Sequence, residues 1–164
     1  KQAARMYSAH HYLGSCRGTS HFGVVTADNV LIGACSFGPF QRNQQSLKYP
    51  ESVELTRFVI DSEYQVKNLG SWFLSRCLKR VGKAVVTYAD ATQGHDGALY
   101  KACNFRLSHT VPSDYYYIDQ AGFVLHKKSV WTHATRMKVT ESEYADKNGL
   151  VKKWGGEKTC FIHE

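Results

Sequence analysis

Apolar and polar residues are grouped in short blocks along the chain, and the period of the grouping changes from block to block. Residues 3–12 have the spacing of a short helix, closed off by Gly14 and Gly18. Two β-rich runs come next, 21–26 and 30–35, joined through Asp28 and Asn29, a pair suited to a tight hairpin. The Gln- and Asn-rich stretch 39–50 reads as a loop, and 53–60 as a third strand. The period then lengthens: Leu69, Trp72, Phe73, Cys77 and Leu78 share one helical face, and Arg76, Lys79 and Arg80 load the last turn, where the helix dipole favours cations. Gly82 supplies the stop. Residues 84–89 are almost continuously apolar, as in a central strand buried on both faces. A short helix at 97–103 precedes closing strands at 105–110, 115–118 and 123–126. Past Lys127 the pattern weakens, although Thr140 and Glu143 have capping-box spacing, Gly149 can end that helix, and 159–162 reads as a last strand. The succession predicts an α/β fold, a central mixed sheet flanked by helices.

Composition narrows the class. With 164 residues, 43% of them hydrophobic and 21% charged, and with no linker or repeat, the chain reads as a single domain over 1–164 with a basic C-terminal extension, 127–164. Its five cysteines are odd in number and form no CxxC pair, which argues against a disulfide framework or structural zinc and for a reducing, cytoplasmic setting. Its apolar runs are too short for a bilayer, so a membrane partner is not expected. A net charge of +7 favours polyanionic partners, either nucleic acid or a phosphate-rich cofactor.

Chemistry concentrates after the third strand, in Gln65, Val66, Lys67, Asn68, Leu69, Gly70 and Ser71, which lead into the long helix. A helix start offers unpaired N–H groups and the positive end of the dipole, and a glycine there admits an anion close to the backbone. An ordinary strand-to-helix connection has the same spacing. The pattern Gln65-x-x-Asn68-x-Gly70 resembles the acyl-CoA motif of GNAT acyltransferases, with Asn68 in place of the usual first glycine. Asparagine tolerates the left-handed backbone better than most residues. A second segment, Leu99-Tyr100-Lys101-Ala102-Cys103-Asn104-Phe105, is similar to the GNAT segment whose tyrosine protonates the departing CoA thiolate. The resemblance implies a GNAT-like acyltransferase fold, acetyl-CoA or a related acyl-CoA as donor, and Tyr100 as general acid. Tyr100 could instead anchor its short helix on the sheet.

Further blocks narrow the resemblance. His10-His11-Tyr12-x-Gly14, Glu54-Leu55-Thr56-Arg57, the run from Tyr88-Ala89-Asp90 through Gln93 to His95-x-Gly97, and Gly122-Phe123-x-x-His126 resemble blocks of Mom-type phage proteins, a likeness spanning roughly residues 5–130. The activity this implies is conversion of the exocyclic amine of adenine, in double-stranded phage DNA inside the bacterial host, to a carbamoylmethyl form that resists restriction. Acetyl transfer alone would give an acetamide, so that product requires a different donor or further chemistry. Asp90 and Glu54 are the candidate groups acting on the amine, with capping and ion pairing as their structural alternatives. His11, Tyr12, Arg57, Tyr88, Gln93, His95, Lys127 and Lys128 are the candidate contacts to base and phosphate, a flipped base stacking on the aromatic rings. His10, His11, Asp90 and His95 could ligate a metal, but no pair has helical ligand spacing. Two rivals share these features: an N-acetyltransferase acting on a protein lysine or small amine, and a non-catalytic DNA-binding module of the same fold.

Overall fold

The computed structural model describes residues 2–11, 18–40, 45 and 48–164. In chain order the elements are α1 (Gln2–His10), β1 (Ser20–Val25), β2 (Leu31–Gly38), β3 (Val53–Ile60), α2 (Leu69–Val81), β4 (Val85–Asp90), α3 (Ala98–Ala102), β5 (Arg106–Val111), β6 (Tyr115–Ile118), β7 (Val124–His126), α4 (Lys127–Arg136), α5 (Glu141–Lys147), β8 (Val151–Trp154) and β9 (Lys158–His163). Tyr12, Gly14 and much of the 39–50 stretch lie outside the described residues. The chain divides into two compact units: one of Lys1–Ala89, Gly97–His109 and Cys160–Glu164, the other of Asp90–Asp96 and Thr110–Thr159.

The first unit is built on a six-stranded sheet of order β1-β2-β3-β4-β9-β5. Asn29, at φ +61°, makes the β1–β2 turn. On one face of the sheet, Phe73, Leu74, Cys77 and Leu78 of α2 pack against Leu55, Val85 and Phe161. The near-complete burial of Phe73 and Leu74 stabilises the unit by roughly 2 kcal/mol each. Gly82, at φ +59°, ends α2 by donating its N–H to the Leu78 carbonyl. On the other face Met6 and Tyr7 of α1 cover Ala34 and Val59.

Strand β3 does not alternate strictly. Its register with β2 shifts between Ser36 and Phe37, so that Arg57 pairs with Ser36 while Leu55 pairs with Phe37. The bulge at Thr56 re-aims the side chains beyond it. Leu55 and Phe58 therefore both reach the α2 side, and Val59 reaches the α1 side.

The second unit holds the three-stranded sheet β7-β6-β8 and helices α4 and α5, packed around Tyr117, Val130 and Ala145. The three predicted closing strands thus split between two sheets. Another difference lies at Lys127 and Lys128, which open α4 where the sequence suggests little structure. Only Val130 and Ala134 of that helix are buried, an apolar stripe too narrow to stand out. The capping box of α5 forms as expected: Glu143 N–H donates to Thr140 Oγ1 (3.2 Å), and Thr140 N–H to Glu143 Oε2 (2.8 Å). Among the described residues no helix is long and apolar enough to cross a membrane.

Candidate functional site

Strands β3 and β4 run parallel, but only Val53 with Val85 and Glu54 with Val86 are paired. Beyond those positions the two strands carry no further backbone pairing, and the hydroxyl of Thr87 reaches across instead to the carbonyl of Leu55 (3.4 Å). A gap between adjacent parallel strands is where a ligand can lie against backbone that no neighbour uses.

The start of α2 belongs to this unit. Asn68 stands at φ +66°, so the residue replacing the motif's first glycine adopts the left-handed conformation that glycine would give. Its side chain makes no cap. Not every N–H of the 65–71 segment can face an anion: Val66 donates to Tyr64 and Leu69 to Val66. The Gln65 amide donates to the Ile60 carbonyl (3.3 Å), and the Ser71 hydroxyl to that of Asn68 (3.2 Å). Gly70 and Ser71 sit in the first turn, where helical N–H groups lack an intrahelical acceptor. A Cβ on Gly70 would lie 3.4 Å from Leu99 Cδ1 and 3.8 Å from Phe58. Alanine fits there, whereas the branched methyls of valine would press on Leu99.

Tyr100 lies on the α2 side of the sheet, its ring 5.5 Å from those of Phe105 and Phe161. Burial pushes its phenol up, only partly offset by Thr87, so it keeps its proton through neutral pH. Gly97, at φ +77°, supports the helix that carries it. A Cβ there would sit 2.3 Å from the Phe161 ring, so position 97 tolerates glycine alone.

On the opposite face Glu54 and Tyr88 come together around Cys160. The Tyr88 hydroxyl is buried without a hydrogen-bond partner. Burial, then Cys160, Glu54 and Tyr49, push this phenol far above its ordinary value. Arg57 donates through Nη1 to the Thr56 carbonyl (2.6 Å), and His11 N–H donates to Tyr7 at the end of α1.

In the second unit Asp90 is 6% exposed and fully engaged. Its Oδ1 accepts the Thr92 N–H (3.0 Å), capping a 3-10 turn over Ala91–Gln93, and its Oδ2 meets Lys158 Nζ at 3.0 Å. Burial pushes this carboxyl up, but Thr92 and Lys158 outweigh it and hold it below the ordinary carboxylate range. Gln93 and His95 lie exposed on that turn, and His95 N–H donates to the Asp90 carbonyl. Lys127 is bound to Asp114 at 2.6 Å and stands over the Tyr115 ring, while Lys128 is in the first turn of α4. The hydroxyls of Tyr115 and Tyr117 both donate to Glu141 (2.8 Å each), which commits two of the three clustered tyrosines to packing. Among the described residues no three His, Cys, Asp or Glu side chains gather as a metal site requires.

Sequence reasoning misses Thr87, Lys158, Tyr49 and Cys160 as members of these groups. Their partners lie on other strands, and no local motif announces them.

A six-stranded sheet with parted central strands, crossed by a helix that starts at Asn68 and Gly70, is the GNAT acetyltransferase fold. The N-acetyltransferase of a ribosomal-protein alanine from Escherichia coli matches with a TM-score of 0.55 at 12% identity, over 98% of this chain and 83% of that one. A candidate acetyltransferase from Acinetobacter baylyi gives 0.50 at 21% identity, over 86% of this chain. The spermidine N-acetyltransferase of Vibrio cholerae, solved with CoA and spermine, gives 0.50 at 13% identity, over 87% of this chain. The chain spans 60% and 63% of the length of these last two. No curated protein sequence matches it. The model of the Mom protein family matches residues 1–159, and the chain belongs to that family.

Proposed function

We propose that this protein is a DNA-modifying transferase, which uses a CoA-type donor to convert the exocyclic amine of adenine in phage DNA to its carbamoylmethyl form. Family membership supports the substrate, and the parting of β3 and β4 between Tyr100 on one face and Glu54 with Tyr88 on the other carries the chemistry. The residues suit a CoA-type group. The pyrophosphate would be held by first-turn N–H groups at Gly70 and Ser71, with Lys67 beside them, and left-handed Asn68 shapes the approach. When bound, that group supplies a carbonyl activated by a thioester.

The chain's own residues then have distinct tasks. Glu54 would take the N–H proton as the amine nitrogen bonds to the acyl carbon, with Tyr88 beside it, and Tyr100 would protonate the sulfur released as the carbon–sulfur bond breaks. With acetyl-CoA this step gives the acetamide, so the carbamoylmethyl product requires a different donor or further chemistry. Within the second unit Asp90 holds the loop bearing Gln93 and His95, the candidate contacts to a base. Arg57, Lys127 and Lys128 are the candidate contacts to phosphate, and His11 and Tyr12 remain candidates for contact with the nucleic acid. The Vibrio relative's bound spermine favours a second reading, acetylation of a small amine. Mass spectrometry of nucleosides from cells expressing the chain decides between them. Carbamoylmethyl-adenine in DNA is expected; unmodified adenine alongside an acetylated polyamine or protein would overturn the assignment.

A further inference from the structure

The sheet face that carries the acceptor groups of the first unit continues past them to the β5 edge. Glu54 pairs with Val86 and so shares its face, and Tyr88, two residues further along β4, lies on that face as well. Phe161 of β9 packs on the α2 side, so its neighbour Cys160 points to the acceptor side. The Tyr49 hydroxyl stands 4.0 Å from Cys160 Sγ, which brings the segment before β3 onto the same side. Strand β5 lies beyond β9 at the end of the sheet, two strand spacings or roughly 10 Å from β4.

At that edge four polar side chains converge. Ser108 Oγ is 3.0 Å from His109 Nδ1 and 3.1 Å from the Tyr49 hydroxyl. The Tyr49 hydroxyl and Lys48 Nζ each lie 3.4 Å from the same Nδ1. A neutral imidazole has one acceptor nitrogen, so three donors compete for one lone pair. With Ser108 bonded to that nitrogen and Tyr49 to Ser108, the Lys48 ammonium faces an acceptor already taken. Among the described residues no carboxylate forms an ion pair with Lys48 or His109. Lys48 and Ser108 are exposed, and Tyr49 and His109 are half-buried behind them. A solvent-facing group with a fixed positive charge and more donors than acceptors suits an oxyanion, whose several oxygens accept at once. Burial and then the Lys48 charge hold His109 below its ordinary value. An anion seated between the two would offset Lys48, let the ring take a proton and add one more donor.

We propose that Lys48, Tyr49, Ser108 and His109 hold a backbone phosphate beside the target nucleotide, anchoring the strand so that its adenine reaches the Glu54 side of the sheet. The inference rests on the DNA-modifying reading above. The distance from β5 to β4 is comparable with the span of one nucleotide from its phosphate to its base. A free nucleotide offers the same phosphate chemistry. The duplex is favoured because the site is at the open edge of the sheet, where a continuous backbone can pass without entering it.

Two measurements on the full chain test this. In fluorescence anisotropy of a labelled duplex, Lys48→Gln is expected to weaken binding about 5- to 10-fold and to lower the salt slope by about one unit. Ser108→Ala should weaken binding about 5-fold with the slope unchanged. The double variant should lose less than the product of the two, because both groups act on one phosphate. In NMR of the histidine rings, the His109 signals, identified by their loss in His109→Gln, are expected to shift on adding the duplex or inorganic phosphate. Chloride at the same ionic strength should leave them in place, and Lys48→Gln should remove the response. A salt slope unchanged in Lys48→Gln, or His109 signals indifferent to the duplex, overturns the site as a DNA contact. A response to adenosine monophosphate with none to the duplex assigns the phosphate to a free nucleotide and overturns the duplex placement. Neither measurement uses a donor, so a protein that binds duplex here yet modifies no adenine upholds the site and overturns the transferase reading alone.

Discussion

A buried phenol keeps its proton in the resting protein and has it ready to donate to a sulfur on which negative charge develops. Tyr100 is held neutral by burial, and Thr87 is the hydroxyl beside it. Tyr100→Phe keeps the rings in contact and removes the proton, so turnover should fall roughly 10²-fold while acetyl-CoA affinity, measured by calorimetry, stays unchanged. Unaltered turnover would make Tyr100 an anchor for α3. Asp90 behaves differently, because both of its oxygens are already bound within the second unit. Its folded pKa is depressed, so the interaction stabilises the protein above the ordinary carboxylate pKa and is lost as pH falls through the lower folded value. Asp90→Asn keeps a capping oxygen but loses the charge opposite Lys158, at a cost of about 1 kcal/mol at neutral pH. The melting-temperature gap between variant and wild type should close as the pH is lowered below about 4. A gap independent of pH would show that the carboxylate's charge is not what stabilises the turn.

At the scale of elements, the start of α2 offers a cleaner probe than any single catalytic group. Lys67 is exposed just before the helix, and Lys67→Glu places a negative charge where the dipole invites an anion. Acetyl-CoA binding should weaken about 5- to 10-fold with no change in melting temperature, equivalent to about 1 kcal/mol. Gly70→Ala, which the packing accepts, should be nearly silent in stability. Undiminished binding by Lys67→Glu would remove the 65–71 segment from the cofactor site. This helix is also the element most legible in the sequence: its apolar face, its basic last turn and its Gly82 stop are all local signals, and all three are present in the structure. Strand β3 is legible in extent but not in facing, since the bulge at Thr56 depends on pairing with Ser36 and leaves no trace in the alternation of residues 53–60. Motif matching brings Glu54 and Tyr88 forward separately, but only the sheet order shows that they share a face with Cys160. The insertion of β9 between β4 and β5 joins residues far apart in the chain, which local periodicity cannot anticipate.

Across the whole molecule the charge is unevenly divided. The first unit carries 13 Lys and Arg against 6 Asp and Glu, and the second carries 8 against 8, so the entire net charge of +7 belongs to the first. Much of it lies on the solvent side of α2, which has no acidic residue: Arg76, Lys79 and Arg80 are exposed, Lys83 comes just after, and Arg76 stacks on exposed Trp72 at 4.7 Å. The basic residues of the second unit are balanced within it, Lys127 by Asp114 and Lys158 by Asp90. A polyanion such as duplex DNA gains most from cations that no carboxylate already neutralises, because each phosphate they meet releases condensed counterions. DNA affinity should therefore fall steeply with added salt, and the combined change of Arg76, Lys79 and Arg80 to Gln should flatten the plot of log affinity against log salt by about one unit for each phosphate that no longer meets a cation. Lys127→Gln should change that slope less, since its ammonium is already paired. Fluorescence anisotropy of a labelled duplex across a salt series measures both. A slope that responds to Lys127 and ignores the α2 triple variant would move the DNA-binding surface to the second unit.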